Sequence, residues 1–273
     1  MKSGWLLYTR AEYLRNRPFA DQFVHMGEAF GLDVTLRLSE ELALPLVGQP
    51  PQFVINRTRD AVLASLLETL GCRVFNPSAT ALCGNDKAHG LALAHRLGLP
   101  VLPAALCANV PDALVRHGLC YPVVAKDPAG HGGVGVFLAR DENALLSCAL
   151  RIPGERVLVQ QLCDEPGVDV RFYVVGGEIL RAVRRSSRTD FRANVSLGGT
   201  ADLYEPTDAQ REMVQRVCGT LTLDYAGVDF LYHAGELCFN EIEDMVGSRA
   251  LFQLGHNPIP DYLRHIALEM DAR

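Results

Sequence analysis

The chain has 273 residues, 48% hydrophobic and 21% charged, with a formal net charge of −6, which suits a soluble globular protein of one large or two to three smaller domains. The acidic balance argues against a broad nucleic-acid-binding face, although it leaves room for a local basic site. Eight scattered cysteines without a CxxC pair argue against zinc, no apolar run approaches a membrane span, and the N-terminus lacks signal-peptide features, so a cytoplasmic protein with reduced thiols is expected.

GWLLYT reads as a strand, followed by a helix on which Phe19, Phe23, Met26 and Phe30 share a face and which Gly31 ends. DVTLRL and QFVIN read as two further strands. Val62, Leu63, Leu66, Leu67 and Leu70 predict the inward face of a helix stopped by Gly71, and RVFN is a fourth strand. This β-α-β order predicts a small parallel sheet, and the lack of GxGxxG after the first strand disfavours a dinucleotide fold. From Asn85 a helix carries Lys87 and is ended by Gly98 and Pro100. A short helix near Asp112 to His117 precedes the strand YPVVAK. The glycine-rich AGHGGVGV, the strand VGVFLAR, a helix from Asp141 to Leu150 and the strand RVLVQQL follow.

VDVRFYVV, the pair Gly176–Gly177 and EILRAVRR predict a hairpin. Alternation puts Asp169, Arg171 and Tyr173 on one face, with Val170, Phe172 and Val174 on the other. Thr207 and Gln210 predict a capping box at the start of a helix. AGVDFLYHAGELCFNEIED is a second hairpin, and an amphipathic helix from about Pro260 to Met270 closes the chain.

Three features carry chemistry. Only three lysines stand against twenty-three arginines, and two of them, Lys87 and Lys126, neighbour helix-start and glycine-loop signals. A lysine ammonium is a compact point charge suited to phosphate. The loop glycines let backbone N–H groups approach phosphate oxygens, although no GK[ST] of a Walker loop follows. In the second hairpin Glu241 and Glu243 project from one strand face, with Asp229 opposite Glu241, while Asn240 and Asp244 face the other way or leave the strand. Three converging carboxylates repel unless a cation sits among them, and oxygen donors suit Mg²⁺ with substrate phosphates completing its shell. The arginines at 181, 184, 185, 188 and 192 form a dense cluster expected to face an anion, and Arg57 and Arg59 after the third strand are further candidates to meet an anionic substrate.

Together NDKAHGLALAHRLGLPVLPA, YPVVAKDPAGHGGVGVFLAR, VLVQQL, GVDVRFYVVGGEI, DFRANVSLGG and AGVDFLYHAGELCFNEIE resemble the ATP-grasp superfamily, most closely the RimK-like carboxylate–amine ligases. The resemblance implies a mixed α/β and α+β ATP-grasp fold behind a small N-terminal α/β domain. It divides the chain into an N-terminal domain at 1–77, a central subdomain with a glycine-rich lid at 78–160, and a C-terminal subdomain with the metal site at 161–273. It also implies an ATP- and Mg²⁺-dependent ligase, with Mn²⁺ as a substitute ion, that joins a carboxylate to an amine through an acyl phosphate. Glutamate or another amino acid is a candidate substrate. Alternatives are a ligase acting on a carrier-bound or biosynthetic intermediate, and a degenerate nucleotide-binding regulator. Expected partners are a small carboxylate and amine, a peptide or a carrier protein, and further copies of the chain; neither nucleic acid nor membrane is expected.

By the same resemblance Lys87 and Lys126 contact ATP phosphates beneath the loop Gly130, His131, Gly132, Gly133, Val134 and Gly135. Gln161 and Leu162 meet the adenine, and Asp169 holds the ribose. Arg185, Arg192 and Asn194 lie near the γ-phosphate and reacting carboxylate, and Asp229, Glu241 and Glu243 hold magnesium. The family usually has Asn where Glu243 stands and a Pro-Gly ending where this chain reads DMVG, which bears on metal geometry and the substrate pocket; Arg249 is placed to offset the added charge.

Overall fold

The computed structural model describes residues 1–43, 49–108, 110–195 and 198–273. Ser196 and Leu197, within the DFRANVSLGG motif, lie outside the described residues.

The first unit is a parallel sheet of order β2-β1-β3-β4, made of β1 (Lys2–Tyr8), β2 (Leu32–Leu38), β3 (Phe53–Arg57) and β4 (Arg73–Phe75). Between β1 and β2 runs α1 (Arg10–Gly27), capped by the Thr9 side chain, with a 3-10 turn to Phe30 and Gly31 closing it at φ 74°. Pro18 removes an amide donor inside α1, and Asn16 leaves helical geometry (φ −119°, ψ 17°). The Asn16 side chain donates to the Glu12 carbonyl at 2.9 Å. This kinked turn places Glu12 and Asn16 beyond the carboxyl ends of β1 and β3, where open parallel sheets receive ligands.

Helix α2 (Ala61–Thr69) corrects an expected face. Ala64 and Leu67 are buried, with Leu63 packed beside them, whereas Val62 is 80% exposed and Leu70 40% exposed. The groove between α2 and α3 (Ser78–Asn85) is lined by Val62, Leu66, Leu70 and Leu82. Helix α3 was not expected, because its small residues show no apolar period.

The second unit begins with α4 (Lys87–Arg96), followed by β5 (Ala104–Cys107), α5 (Val110–His117), β6 (Val123–Lys126), β7 (Val136–Ala139), α6 (Glu142–Ala149) and β8 (Val157–Gln161). Its strands form an antiparallel sheet of order β5-β8-β6-β7 packed on α5 and α6 through Val123, Ala125, Leu145 and Val159.

The third unit is an antiparallel sheet of order β11-β10-β9-β12-β13. It comprises β9 (Val168–Val175), β10 (Glu178–Ser186), β11 (Thr200–Leu203), β12 (Tyr225–His233) and β13 (Glu236–Glu243), with α7 (Asp208–Cys218) before β12. Gly176 (φ 58°) and Gly177 (φ 82°) make the β9–β10 turn, a backbone form that fits the strand twist and that side chains oppose. The expected capping box of Thr207 and Gln210 is present. Val170, Phe172 and Val174 face the core beneath α4 and α7. Tyr173 on the other face joins a core shared with the first unit and with α8 (Arg249–Gln253) and α9 (Ile259–Asp271). Polar bonds fix the contact. Arg73 grips the fully buried Asp224 at 2.7 and 3.1 Å, and Asn76 bonds Tyr225 N, Tyr225 O and Asp244.

Candidate active site

Two cavities meet between these units. The first lies between the second and third sheets and is lined by Lys87, Lys126, Gln161, Leu162, Asp169 and Glu241 among others. The second lies between the third sheet and the carboxyl ends of β1 and β3. It carries Arg15, Arg57, Arg59, Arg171, Arg185 and Arg249 against Glu12 and Glu243. Gly132, Arg185 and Asn194 line both.

Lys126 ends β6, and its position in the sheet aims the ammonium across to β13. It donates to Asn240 Oδ1 at 2.8 Å. Burial pushes its pKa down to about 8, with Glu241 opposing the fall and Lys87 adding to it. Lys87 is the first residue of α4, capped by Asp86, and sits 3.1 Å from Glu241 Oε2. Burial would raise the Glu241 carboxyl, but Lys87 and Lys126 outweigh it and hold the group below its ordinary value. Asn240 departs from the expected alternation: β12 and β13 slip register between Asp229 and Phe230, and Asn240 turns into the cavity as the extra residue of that bulge.

Asp229 pairs with Glu241 in register, as the hairpin spacing requires. Its carboxylate, however, is closed by arginines: Arg171 donates at 2.7 and 2.6 Å and Arg185 at 2.8 Å. Burial would raise its pKa, yet these two guanidinium groups keep it below the ordinary carboxylate value. Asp169 likewise receives both Arg185 bonds, at 2.6 and 2.7 Å. Glu243 forms an ion pair with Arg171, although its Oε2 accepts no aligned hydrogen bond. The expected trio of carboxylates is therefore met by protein cations, because β9 and β10 lay Arg171 and Arg185 across it. The oxygen-only donor set suits a hard divalent ion, but among the described residues no three His, Cys, Asp or Glu side chains stand together to hold one. Glu241 lines the first cavity, Glu243 opens onto the second, and Asp229 lines neither.

The glycine loop is closed. Asp127 N donates to Gly135 O at 2.8 Å at its neck, Lys87 Nζ donates to Gly130 O, and Arg192 Nη1 donates to Gly133 O at 2.7 Å. Gly132 and Gly133 line the first cavity, His131 turns to the second, and Val134 is 72% exposed. Gly133 (φ 80°) and Gly135 (φ 70°) adopt left-handed backbone, and a Cβ at Gly135 would stand 2.8 Å from Asp127 Cβ. At the hinge the Gln161 side chain bonds the Cys120 backbone in both directions, its N–H donates to Pro103 O at 2.9 Å, and the residue lines the first cavity. The buried Gln160 Nε2 beside it has no partner, an unmet donor that a polar ligand would satisfy.

The arginine cluster of the sequence disperses. Arg185 is buried, while Arg181, on the same face of β10 but nearer the turn, is exposed. Arg192 is tied to Asp190 at 2.6 Å. The second cavity draws its charge from elsewhere. Arg57 is 5% exposed, donates to Val246 O at 3.0 Å and keeps an unpartnered Nε, while Arg59 pairs with Glu12 at 3.0 Å. Reading the sequence missed Arg171, Asn240, Glu12 and Asn16 as site residues. For Arg171 its place beside Asp169 on the polar face of β9 was the available signal.

A family model described as the RimK-like ATP-grasp domain matches residues 84–257. A probable alpha-L-glutamate ligase from Enterobacter sp. (strain 638) is 36% identical over 171 residues, which cover 60% of this chain and 57% of that protein; the match thus spans little more than half of that relative's length. Two solved structures share the fold. D-cycloserine synthetase DcsG has a TM-score of 0.76 at 17% identity, covering 98% of this chain and 99% of that one. A RimK domain ATP-grasp protein from Sphaerobacter thermophilus DSM 20745 has a TM-score of 0.73 at 22% identity, covering 98% of each chain.

Proposed function

The chain belongs to the RimK-like ATP-grasp family, and on that footing we propose that it is an ATP-dependent carboxylate–amine ligase whose carboxylate substrate is anionic beyond its reacting group. The observation that carries this reading is the shared wall: Gly132, Arg185 and Asn194 border both the lysine-lined cavity and the arginine-lined one. A nucleotide in the first would bring its terminal phosphate to the seam, where a carboxylate in the second could receive it.

In this reading Lys87 and Lys126 bind the phosphates, Gln160, Gln161 and Leu162 receive the base, and Asp169 stands near the ribose while fixing Arg185. Arg185 and Asn194 face the transferring phosphoryl group, and Arg192 anchors the closed loop through Gly133. Magnesium, or manganese in its place, would be held by Glu241 with the phosphates, Asp229 and Glu243 lying behind, and would supply neutralising charge. The carboxylate oxygen attacks the γ-phosphorus, ADP leaves, and the amine displaces phosphate from the acyl phosphate to form an amide. Alignment and charge neutralisation supply the catalysis, so no enzyme nucleophile is needed. The closed loop excludes water that would hydrolyse the intermediate. Arg57, Arg59 and Arg249 favour a substrate with a second anionic group, such as glutamate or a peptide ending in it.

The test is a phosphate-release screen crossing carboxylic acids with amines, with mass spectrometry of each product. Acidic carboxylates are expected to give ADP and an amide. Turnover confined to neutral carboxylates would remove the substrate assignment, and release of AMP and pyrophosphate would remove the reaction.

A further inference from the structure

The reaction above leaves one proton without an acceptor. An amine reaches the site from neutral water as an ammonium, and its nitrogen cannot attack a carbonyl until that proton is gone. We infer that His131, at the tip of the glycine loop, is the general base that removes it, and that Glu12 is the positioning residue for its ring; the inference rests on the acyl-phosphate reading.

The loop brings the imidazole to the right wall. His131 lines the arginine cavity, and its neighbour Gly132 borders both cavities, so the ring sits one residue from the seam. Its Nε2 stands 3.9 Å from Glu12 Oε1. Glu12 is itself fixed: Arg59 donates to Oε1 at 3.0 Å and Asn16 to Oε2 at 2.9 Å, the latter from the kinked turn of α1. A carboxylate beside an imidazole that lines the substrate space is an arrangement general-base catalysis uses. The remaining groups on that wall do not compete. Its arginines stay protonated, and Glu12 and Glu243 are each held by an arginine. The charges facing His131 are Glu12, Arg59, Lys87 and Glu243, with Arg15 behind Glu12 at 3.8 Å. Burial, Arg59 and Lys87 depress its pKa against the pull of Glu12 and Glu243, which leaves a neutral ring at pH 7.

The step balances. The ammonium N–H bond breaks and its proton passes to the free ring nitrogen, giving imidazolium and a neutral amine. The amine nitrogen bonds to the acyl carbon, the carbon–oxygen bond to phosphate breaks with its electron pair on phosphate, and the nitrogen's second proton leaves with phosphate. Imidazolium then returns its proton to water.

Hydroxylamine tests this directly, because it carries no proton to lose at neutral pH before attack. The wild type and His131→Asn are assayed with the carboxylate and amine found by the screen, and in parallel with the same carboxylate and hydroxylamine. Amide formation is expected to fall about 10²- to 10⁴-fold in the variant while hydroxamate formation is little changed. The acid limb of the wild-type kcat profile, which falls as His131 gains its proton, should give way in the variant to a rate that keeps rising with pH toward the amine's own pKa. Equal loss of amide and hydroxamate, or undiminished amide formation, overturns the role of His131 and leaves the ligase reading standing. A wild type that makes amide but no hydroxamate overturns the acyl-phosphate reading, and the base falls with it.

Discussion

Lys126 is the residue at which stability and function pull hardest against each other. A lysine in water keeps its proton to about pH 10, whereas burial brings this one to about 8, so the folded protein holds the charged form at a cost. The sign follows. Below about pH 8 the ammonium is present to meet phosphate, and above it the charge is lost, so kcat/KM for ATP should decline as pH rises through 8. Between pH 8 and the ordinary lysine value the unfolded chain binds the extra proton, so this residue's contribution makes the fold more stable as pH rises there. Lys126→Met should accordingly lower ATP turnover by about 10²- to 10³-fold without lowering the Tm, measured by phosphate release and calorimetry. A large fall in Tm would show that the ammonium supports the fold. Arg171 is the opposite case. Removing it as Arg171→Met leaves Asp229 and Glu243 short of a buried partner, and a destabilisation of about 3–5 kcal/mol in urea titration is expected. The scarcity of lysine pointed to Lys87 and Lys126 from the sequence alone. The role of Arg171 did not show, because it depends on β9 pairing with β12 so that Arg171 lies opposite Asp229, a long-range register that no local pattern encodes.

At the level of elements, hairpins and caps were the most legible because their chemistry is local. Two positive-φ glycines predict the β9–β10 turn, and Thr207 with Gln210 predicts the start of α7. Patterns that depend on what packs nearby were less legible. Helix α2 has two leucines, Leu63 and Leu66, beside its two buried positions, so several stripes fit, and the sheet selects the one through Ala64 and Leu67. The bulge after Asp229 breaks strict alternation, which is why Asn240 was expected on the wrong face. The glycine loop lends itself to a direct test. Gly135→Ala would force a side chain into left-handed backbone against Asp127, at the neck that closes the loop. Turnover should drop at least tenfold while the Tm moves little, because the loop lies outside the main cores. Unchanged turnover would mean that the loop does not need this closed form.

Across the whole molecule, the arginine cavity forms where the N-terminal sheet meets the C-terminal one, joined by a shared apolar core and by Arg73–Asp224 and Asn76 with Asp244. The small parallel sheet and the two hairpins could be anticipated from the succession of strands. Their meeting at a seam could not, since Arg57 and Arg249 are 192 residues apart in the numbering yet line one cavity. Arg59→Ala should raise KM for the acidic substrate about tenfold or more while leaving KM for ATP unchanged, since Arg59 lines the second cavity alone. A shift in both constants would mean that the cavities do not divide the substrates. The central claim, that phosphoryl transfer to a carboxylate occurs where the two cavities join, is tested most directly with oxygen isotopes. The carboxylate found by the screen is labelled with ¹⁸O, turned over with unlabelled ATP, and the released phosphate is weighed by mass spectrometry. The account predicts one labelled oxygen in each phosphate formed with product; phosphate released with product but free of label would contradict it.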